Sequence, residues 1–182
     1  MSQKSKIENW QRYNQKIVYP IIDQTGAKIK SACAAGCAWC CHQHTEVNLA
    51  EATTILSVIP IDQRNTLKQR LINDRSEFIR QHRNTLHPGT FYKCPFLDNE
   101  NRCSIYAVRP MICRSHYSDD AQACKRAYTD PEKKAIYNRI VVQHELVGAT
   151  IQDATNDGLF FYEMGSAILL SLIHISEPTR PY

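Results

Sequence analysis

Cys33-Ala34-Ala35-Gly36-Cys37-Ala38-Trp39-Cys40-Cys41 puts four thiols into nine consecutive residues. The chain supplies four more at Cys94, Cys103, Cys113 and Cys124. Packing alone gives no reason to crowd half of the cysteines into one short stretch. Soft thiolates select zinc, Cu(I) or iron–sulfur clusters. The expectation is a metal site in which Cys33, Cys37, Cys40 and Cys41 form a local claw. Cys94, Cys103, Cys113 and Cys124 then close the shell from afar and tie distant segments to one place.

Zinc takes four ligands tetrahedrally, with Zn–S of about 2.3 Å. Iron–sulfur clusters also take four thiolates, commonly from a close run plus a distant cysteine. Eight thiols fill two such sites, or one site with several left over, and spacing leaves that choice open. The surplus over a single zinc site tilts the expectation towards iron–sulfur. Two rival readings stand beside it. A disulfide framework allows 105 connectivities for eight cysteines, but adjacent Cys40 and Cys41 would need two separate partners. Buried free thiols are common, since unpaired cysteine is among the most buried residue types. That accounts for a single thiol better than for a run of four plus the spaced pair Cys94 and Cys103.

At 3.6 residues per turn, positions 33, 37, 40 and 41 fall within an arc of about 100°. Gly36 weakens a helix there and favours a tight loop, so the run is expected to be a loop leading into helix. His42 and His44 follow the run, and His116 stands three residues after Cys113. Cys-x-x-His is a usable zinc pair, yet a lone histidine is more often a hydrogen-bonded surface residue; whether His42, His44 or His116 is a ligand stays open. Arg109 and Arg114 flank Cys113 and are candidates to hydrogen-bond a negatively charged thiolate–metal centre and tune it. The alternative for both is pairing with carboxylates. Phe96 and Tyr106 are expected in the core or as shielding for the site.

The 182 residues suffice for one domain with a real core. Apolar content of 43% and charged content of 22% are those of a soluble globular chain. A net charge of +4 is too mild to argue for nucleic acid. Residues 1–20 carry no apolar h-region and no small-residue cleavage site, so no secretory signal is read there. Reduced thiols and a cytoplasmic location follow as expectations. Residues 158–175 look superficially like a membrane span, but they contain Glu163, and a span needs about 20 mostly apolar residues. Residues 170–182 resemble the translation of a sequencing-library adapter and are set apart as non-native. The domain reading is then a helical N-terminal segment over 1–32, a cysteine-cluster domain over 33–169 with its motif core at 33–124, and the 170–182 tail.

The fold class expected is mostly α: one small helical domain with irregular cysteine-bearing loops around a metal site. Ile7, Trp10, Tyr13, Ile17 and Ile21 mark an amphipathic helix over 6–31 that Pro20 should kink or end. Asn48-Leu49-Ala50-Glu51 has the capping-box pattern. Leu49, Ala52, Leu56 and Ile59 then share a face, and Pro60 closes the helix. Asp62 opens the next helix, to about Arg83, with Leu67, Leu71 and Phe78 inside. Its cations, among them Arg64, Lys68, Arg70, Arg75, Arg80 and Arg83, read as a solvated face. Residues 84–93 read as a loop, and Asp98–Arg102 as the turn of a small knuckle between Cys94 and Cys103. Pro110 favours an extended Arg109 and a short helix carrying Cys113. Ser118 is expected to cap a helix bearing Cys124. Asp130-Pro131 opens a helix to about Thr155 with Ile136, Ile140, Val147 and Ile151 on its buried stripe. Asn156-Asp157-Gly158 ends it, and a last helix begins near Leu159.

The spacing Cys33-x3-Cys37-x2-Cys40-Cys41, then Cys94-Pro95-Phe96-Leu97, Cys103-Ser104-Ile105-Tyr106, Arg109-Pro110 and Cys113-Arg114, resembles in order the YkgJ-type cysteine-cluster family. That family is also called the CxxCxxCC zinc- or iron-chelating domain. Cys124-Lys125-Arg126-Ala127 resembles its trailing cysteine, and Val47–Ala52 resembles the helix after its cysteine run. The first gap is three residues here, against two in the family's name, which bears on Cys33. The resemblance implies a bound zinc or iron centre and no settled activity. Flagellin lysine N-methylase resembles the family in its cluster, which brings methyl transfer to a protein lysine into view. Cys33-x3-Cys37-x-Trp39-Cys40 also resembles the cluster motif of radical S-adenosylmethionine enzymes. Those carry the motif after a strand of a partial barrel, whereas a helical pattern precedes it here. Three classes remain: a metal-binding or redox module, a cluster-dependent enzyme, and a structural zinc module for an unidentified protein partner.

Overall fold

The computed structural model describes residues 2–42, 45–81, 93–129, 139–141 and 143–176. Helix α1 (Gln3–Tyr13) starts where the Ser2 hydroxyl accepts from the Ser5 N–H. It runs through a π-helical turn, Asn14–Val18, into α2 (Tyr19–Gly26). The helix therefore passes Pro20 instead of ending there. The π turn widens the hydrogen-bond ladder, with Tyr19 N–H reaching back to Asn14 O, and Pro20 sits at the start of α2, where a missing N–H costs little. The helix stops at Gly26 rather than near residue 31, unwinding through a turn in which Lys28 N donates to Thr25 O and Ile29 N to Gly26 O, and the Tyr117 ring lies against Gly26 so closely that any Cβ there would strike its hydroxyl.

Strand β1 (Glu46–Asn48) leads into α3 (Leu49–Ser57) through the expected capping box. Asn48 Oδ1 accepts from Glu51 N at 3.0 Å, and Glu51 Oε2 accepts from Asn48 N at 3.3 Å. Helix α4 (Ile61–Gln81) buries Leu67 and Leu71. The Phe78 side chain, Arg83 and residues 84–92 lie outside the described residues. The cations of α4 do more than face solvent. Arg64 donates to Ile59 O and Leu56 O and so caps α3, Arg70 donates to Pro95 O, and Arg75 donates to Ser166 Oγ.

The knuckle forms as expected. Asp98 N donates to Arg102 O at 2.9 Å, Leu97 and Cys103 bridge antiparallel, and Ser104 N donates to Phe96 O at 2.9 Å. Arg109 is extended, with φ −55° and ψ 144°, ahead of α5 (Met111–Arg114). Strand β2 (His116–Ser118) follows, then α6 (Ala121–Thr129). The cap of α6 is Asp120 rather than Ser118: Asp120 Oδ1 accepts from Gln122 N and Ala123 N.

Strand β3 (Arg139–Val141) pairs with β2, setting Ile140 opposite Tyr117. Ile140 is thus a strand residue, and α7 spans only His144–Asn156. Gln143, with φ +53°, turns the backbone between them. Asp130, Pro131 and Ile136 lie outside the described residues. Helix α7 ends at Gly158 as expected: φ is +81°, Gly158 N donates to Thr155 O and Leu159 N to Ala154 O. Strand β4 (Phe161–Glu163) then pairs with β1, so the last helix, α8 (Met164–Ser176), starts later than Leu159. It continues through 170–176, with Ser171 and Leu172 buried. No helix among the described residues is long and apolar enough to cross a membrane.

Helix α8 packs on α3 and α4 over the main core, where Ile55, Leu56, Leu71, Phe96, Ile105 and Ile168 meet. A second cluster joins Val18, Tyr19 and Ile22 to Met111 and Val147. A third seats Ile7 and Trp10 of α1 against Ala50, Ala154 and Leu159. The molecule is one small, mostly α domain, and the cysteine segments lie between these helices.

Candidate metal centre

All eight cysteines lie among the described residues and all are free thiols, so no disulfide framework exists. Cys94 and Cys103 sit across the knuckle and pack against the main core. The knuckle docks on the cysteine run through Cys94 N, which donates to Cys41 O at 2.7 Å. Cys113 comes from α5, whose start is fixed by Met111 N donating to Glu51 Oε1 at 2.8 Å. Burial pushes the Cys94 thiol up to about 11, and the Cys103 and Cys40 charges push the same way. Burial also pushes Cys113 up, followed by Cys94, Cys40, Glu51 and Cys103. Cys103 is raised by burial first, with Cys40 adding to it. Cys40 is raised first by its hydrogen bond with the Cys41 thiol, then by burial. Arg109 pulls both Cys40 and Cys103 the other way.

Cys33 and Cys37 belong to the loop ahead of the Trp39–His42 turn, and Cys124 to α6, which packs on that turn. Gly36, with φ +86°, makes the tight turn that Cys37 N closes on Ala34 O at 3.0 Å. Ser118 anchors the start of this loop. Its carbonyl accepts from Ala32 N at 2.8 Å and Ser31 Oγ at 3.1 Å, and the Cys33 thiol lies 3.9 Å away. The Ser118 side chain donates to Asp120 O and accepts from Asp120 N at the start of α6. Burial raises Cys37 and Cys124, and each also feels Cys33 and Cys40. Helix α6 is held on the cysteine run by Tyr128, whose ring lies 5.5 Å from Trp39 and 4.8 Å from His42. Spacing alone gave Cys124 no close partner; the docking of α6 supplies them.

The flanking residues divide. The Arg114 side chain is only 8% exposed. It donates to Arg109 O, Ala107 O and Asp23 Oδ2, and lies over the Tyr19 ring, so it braces α2 against the cysteine-bearing segment. Arg109 stands 3.8 Å from Asp23 and 4.1 Å over the Tyr106 ring. Its Nε is buried with no hydrogen-bond partner among the described residues. Phe96 is in the core as expected, but Tyr106 is 62% exposed and serves as the platform under Arg109. His42 Nδ1 bonds Ala38 O at 2.9 Å, His116 is half-buried in β2, and His44 lies outside the described residues. Glu51 was legible only as a capping-box residue. It is 3% exposed, accepts from Met111 N and Asn48 N, and has the Tyr19 hydroxyl at 3.5 Å.

Among the described residues, no three cysteine, histidine, aspartate or glutamate side chains already form a shell tight enough for an ion. The donor set nevertheless suits zinc or iron. Reduced thiols are crowded so that each opposes its neighbours' ionisation, a conflict that a cation resolves. The orphan Nε of Arg109, beside Cys40 and Cys103, is the kind of donor that an anionic thiolate centre uses.

A helical domain with eight free thiols, four of them within nine residues, has the make-up of a cysteine-cluster domain. The sequence profile of the CxxCxxCC family, described as a "putative zinc- or iron-chelating domain", matches residues 32–139, more than half of the chain. The chain belongs to that family, which the YkgJ-type label also fits. That membership supports chelation of zinc or iron by the cysteines. Neither the curated proteins nor the solved structures offer a match.

Proposed function

We propose that the chain serves to hold an iron–sulfur cluster or zinc through Cys33, Cys37, Cys40, Cys41, Cys94, Cys103, Cys113 and Cys124. One observation supports this reading: the knuckle meets the cysteine run where Cys94 N donates to Cys41 O at 2.7 Å, beside the turn on which Tyr128 of α6 packs. The bound metal supplies a cross-link between these segments and, if it is an iron–sulfur cluster, a site for one electron. Arg109 offsets the thiolate charge and offers its free Nε–H to sulfur. Arg114 and Asp23 keep the Cys113 segment against α2. Reduced thiols suit the cytoplasm.

A cluster-dependent enzyme needs a pocket with available charged groups beside the cluster. A cleft of about 350 Å³ does open beside Arg114. No cysteine lines it, however, and its charged residues Arg114 and Asp23 are bonded to each other at 2.7 Å, so metal binding without turnover is the preferred reading. The test is anaerobic purification followed by an absorption spectrum and metal analysis of one sample. Brown protein with iron and sulfide, or colourless protein with stoichiometric zinc, is the expected result. A chain that carries neither and takes up neither on reconstitution overturns the proposal.

A further inference from the structure

We infer that the exposed stripe Tyr13, Ile17 and Ile21, with the cations beside it, is a docking face on which the N-terminal helix lies flat against an anionic lipid surface. The three side chains come from successive turns of the continuous α1–α2 helix and are 41%, 46% and 37% exposed. None of them belongs to a core cluster of the described residues. In an unbroken α-helix positions 13 and 21 would stand about 80° apart around the axis. The wider π turn at Asn14–Val18 lags that advance and brings Ile21 back into line with Tyr13.

The charge of the molecule is concentrated on the same segment. Residues 1–31 hold Lys4, Lys6, Arg12, Lys16, Lys28 and Lys30 against Glu8 and Asp23, a net +4, which is the net charge of the whole chain. The rest of the chain is therefore balanced. Of the two acids, Asp23 is bonded to Arg114 at 2.7 Å. Arg12 and Lys16 are exposed one position before Tyr13 and Ile17, so a row of cations runs beside the apolar row. Cations flanking exposed aliphatic and aromatic side chains on one helix are the composition of an interfacial helix, and tyrosine favours the headgroup level.

The opposite face of the helix is fixed in the fold. Val18, Tyr19 and Ile22 sit in the second core cluster, Trp10 Nε1 donates to Asp157 Oδ2 at 2.8 Å, and Lys6 Nζ donates to Asp157 O at 2.7 Å. Docking therefore orders no backbone, and the helix cannot leave the fold to enter a partner's groove. A second copy of the chain would set Arg12 and Lys16 against their own kind. A fluid headgroup layer supplies the opposite charge and accommodates a convex ridge of three side chains. Lipid phosphates and carboxylates then meet Arg12 and Lys16, while Tyr13, Ile17 and Ile21 enter the acyl boundary. The face carries no cysteine, so its test stands apart from the metal reading.

The test is co-sedimentation of the full chain with vesicles of phosphatidylcholine alone and of phosphatidylcholine with phosphatidylserine. Binding to the anionic vesicles is expected to be stronger by about 10-fold or more. It should disappear between about 0.1 M and about 1 M salt, as the screening length falls from about 10 Å to about 3 Å. Ile17→Gln/Ile21→Gln should weaken it by about 10-fold or more, and Arg12→Gln/Lys16→Gln by about 30-fold. All four positions are exposed, so the helical circular dichroism of both variants is expected to stay unchanged. Ile61 is 80% exposed and lies outside this helix, and Ile61→Gln should bind as the natural chain does. In Ile17→Trp, the added indole emission should shift to the blue on binding and be quenched by lipids brominated along the acyl chain. No binding to the anionic vesicles overturns the proposal, as does binding that both double variants retain. Capture of the chain by soluble polyglutamate with no vesicle binding gives the face to an acidic polypeptide. Dimerisation without vesicles that Ile17→Gln/Ile21→Gln abolishes gives it to a second copy. Either result overturns the lipid reading.

Discussion

Glu51 is a carboxylate enclosed at the junction of α3, α5 and the N-terminal helix. Burial holds its carboxyl above the ordinary value of 4.5, while the Met111 and Asn48 N–H groups pull the other way. Below that ordinary value the group is neutral in both folded and unfolded chains. As pH rises, the unfolded chain ionises first and the folded chain bears an added cost. Stability of the natural chain relative to Glu51→Gln is therefore expected to fall as pH is raised from about 4.5 towards neutrality. Urea unfolding of both proteins across that range checks this, and a flat difference would count against an ionising Glu51. Arg109 makes a second prediction. Arg109→Gln should leave the helical circular dichroism unchanged and weaken zinc binding about 10- to 100-fold, read by competition with a chromogenic chelator. The cysteines were legible because eight thiols in such spacing have few uses. Arg109 was legible as a flanking cation but not as the partner of Asp23 and Tyr106, and Glu51 only as a cap, because those contacts depend on what tertiary packing sets opposite them: Met111 and Tyr19 for Glu51, Asp23 and Tyr106 for Arg109.

At the scale of elements, local signals read true where cause and effect lie within a few residues. The Asn48–Glu51 box, the Pro110 start of α5 and the Gly158 stop of α7 each complete their own hydrogen bonds nearby. The short strands did not read from sequence, since three residues cannot show alternation. Their partners also lie far away, as with Ile140 opposite Tyr117 and Val47 opposite Tyr162. Arg70 and Arg75 are exposed as expected, yet the partners they and Arg64 reach, Pro95 O, Ser166 Oγ and Ile59 O, are set by packing that local sequence does not show. Asn48→Ala should cost about 1 kcal/mol in urea unfolding. Asp98→Ala should act on metal more than on fold. Asp98 Oδ1 accepts from both Glu100 N and Arg102 N, so its loss loosens the knuckle that sets Cys94 against Cys103. Faster zinc release with little change in unfolding midpoint of the metal-stripped chain is the expected outcome.

For the whole molecule, the apolar core and the thiol site support different regions. Ile55, Leu71 and Ile168 lie at or below 1% exposure in the main core, which is built from apolar side chains. Stripping the metal should lower the melting temperature, since an ion that binds only the folded chain stabilises it. Hydrogen exchange should then rise mainly in residues 33–41 and 94–124, while α3 and α8 stay protected. Uniform loss of protection would mean that the metal nucleates the entire fold. The overall class was readable from composition and periodicity, but the route of the N-terminal helix was not, because a π turn leaves little trace in side-chain type. That turn at Asn14–Val18 adds a residue to the helical screw and so resets its phase between two obligations. Ahead of it, Trp10 must meet Asp157; beyond it, Tyr19 must meet Glu51. Excising one residue there would rotate one end about 100° against the other, leaving the indole and the phenol unable to keep both appointments, although no side chain of the site had been altered.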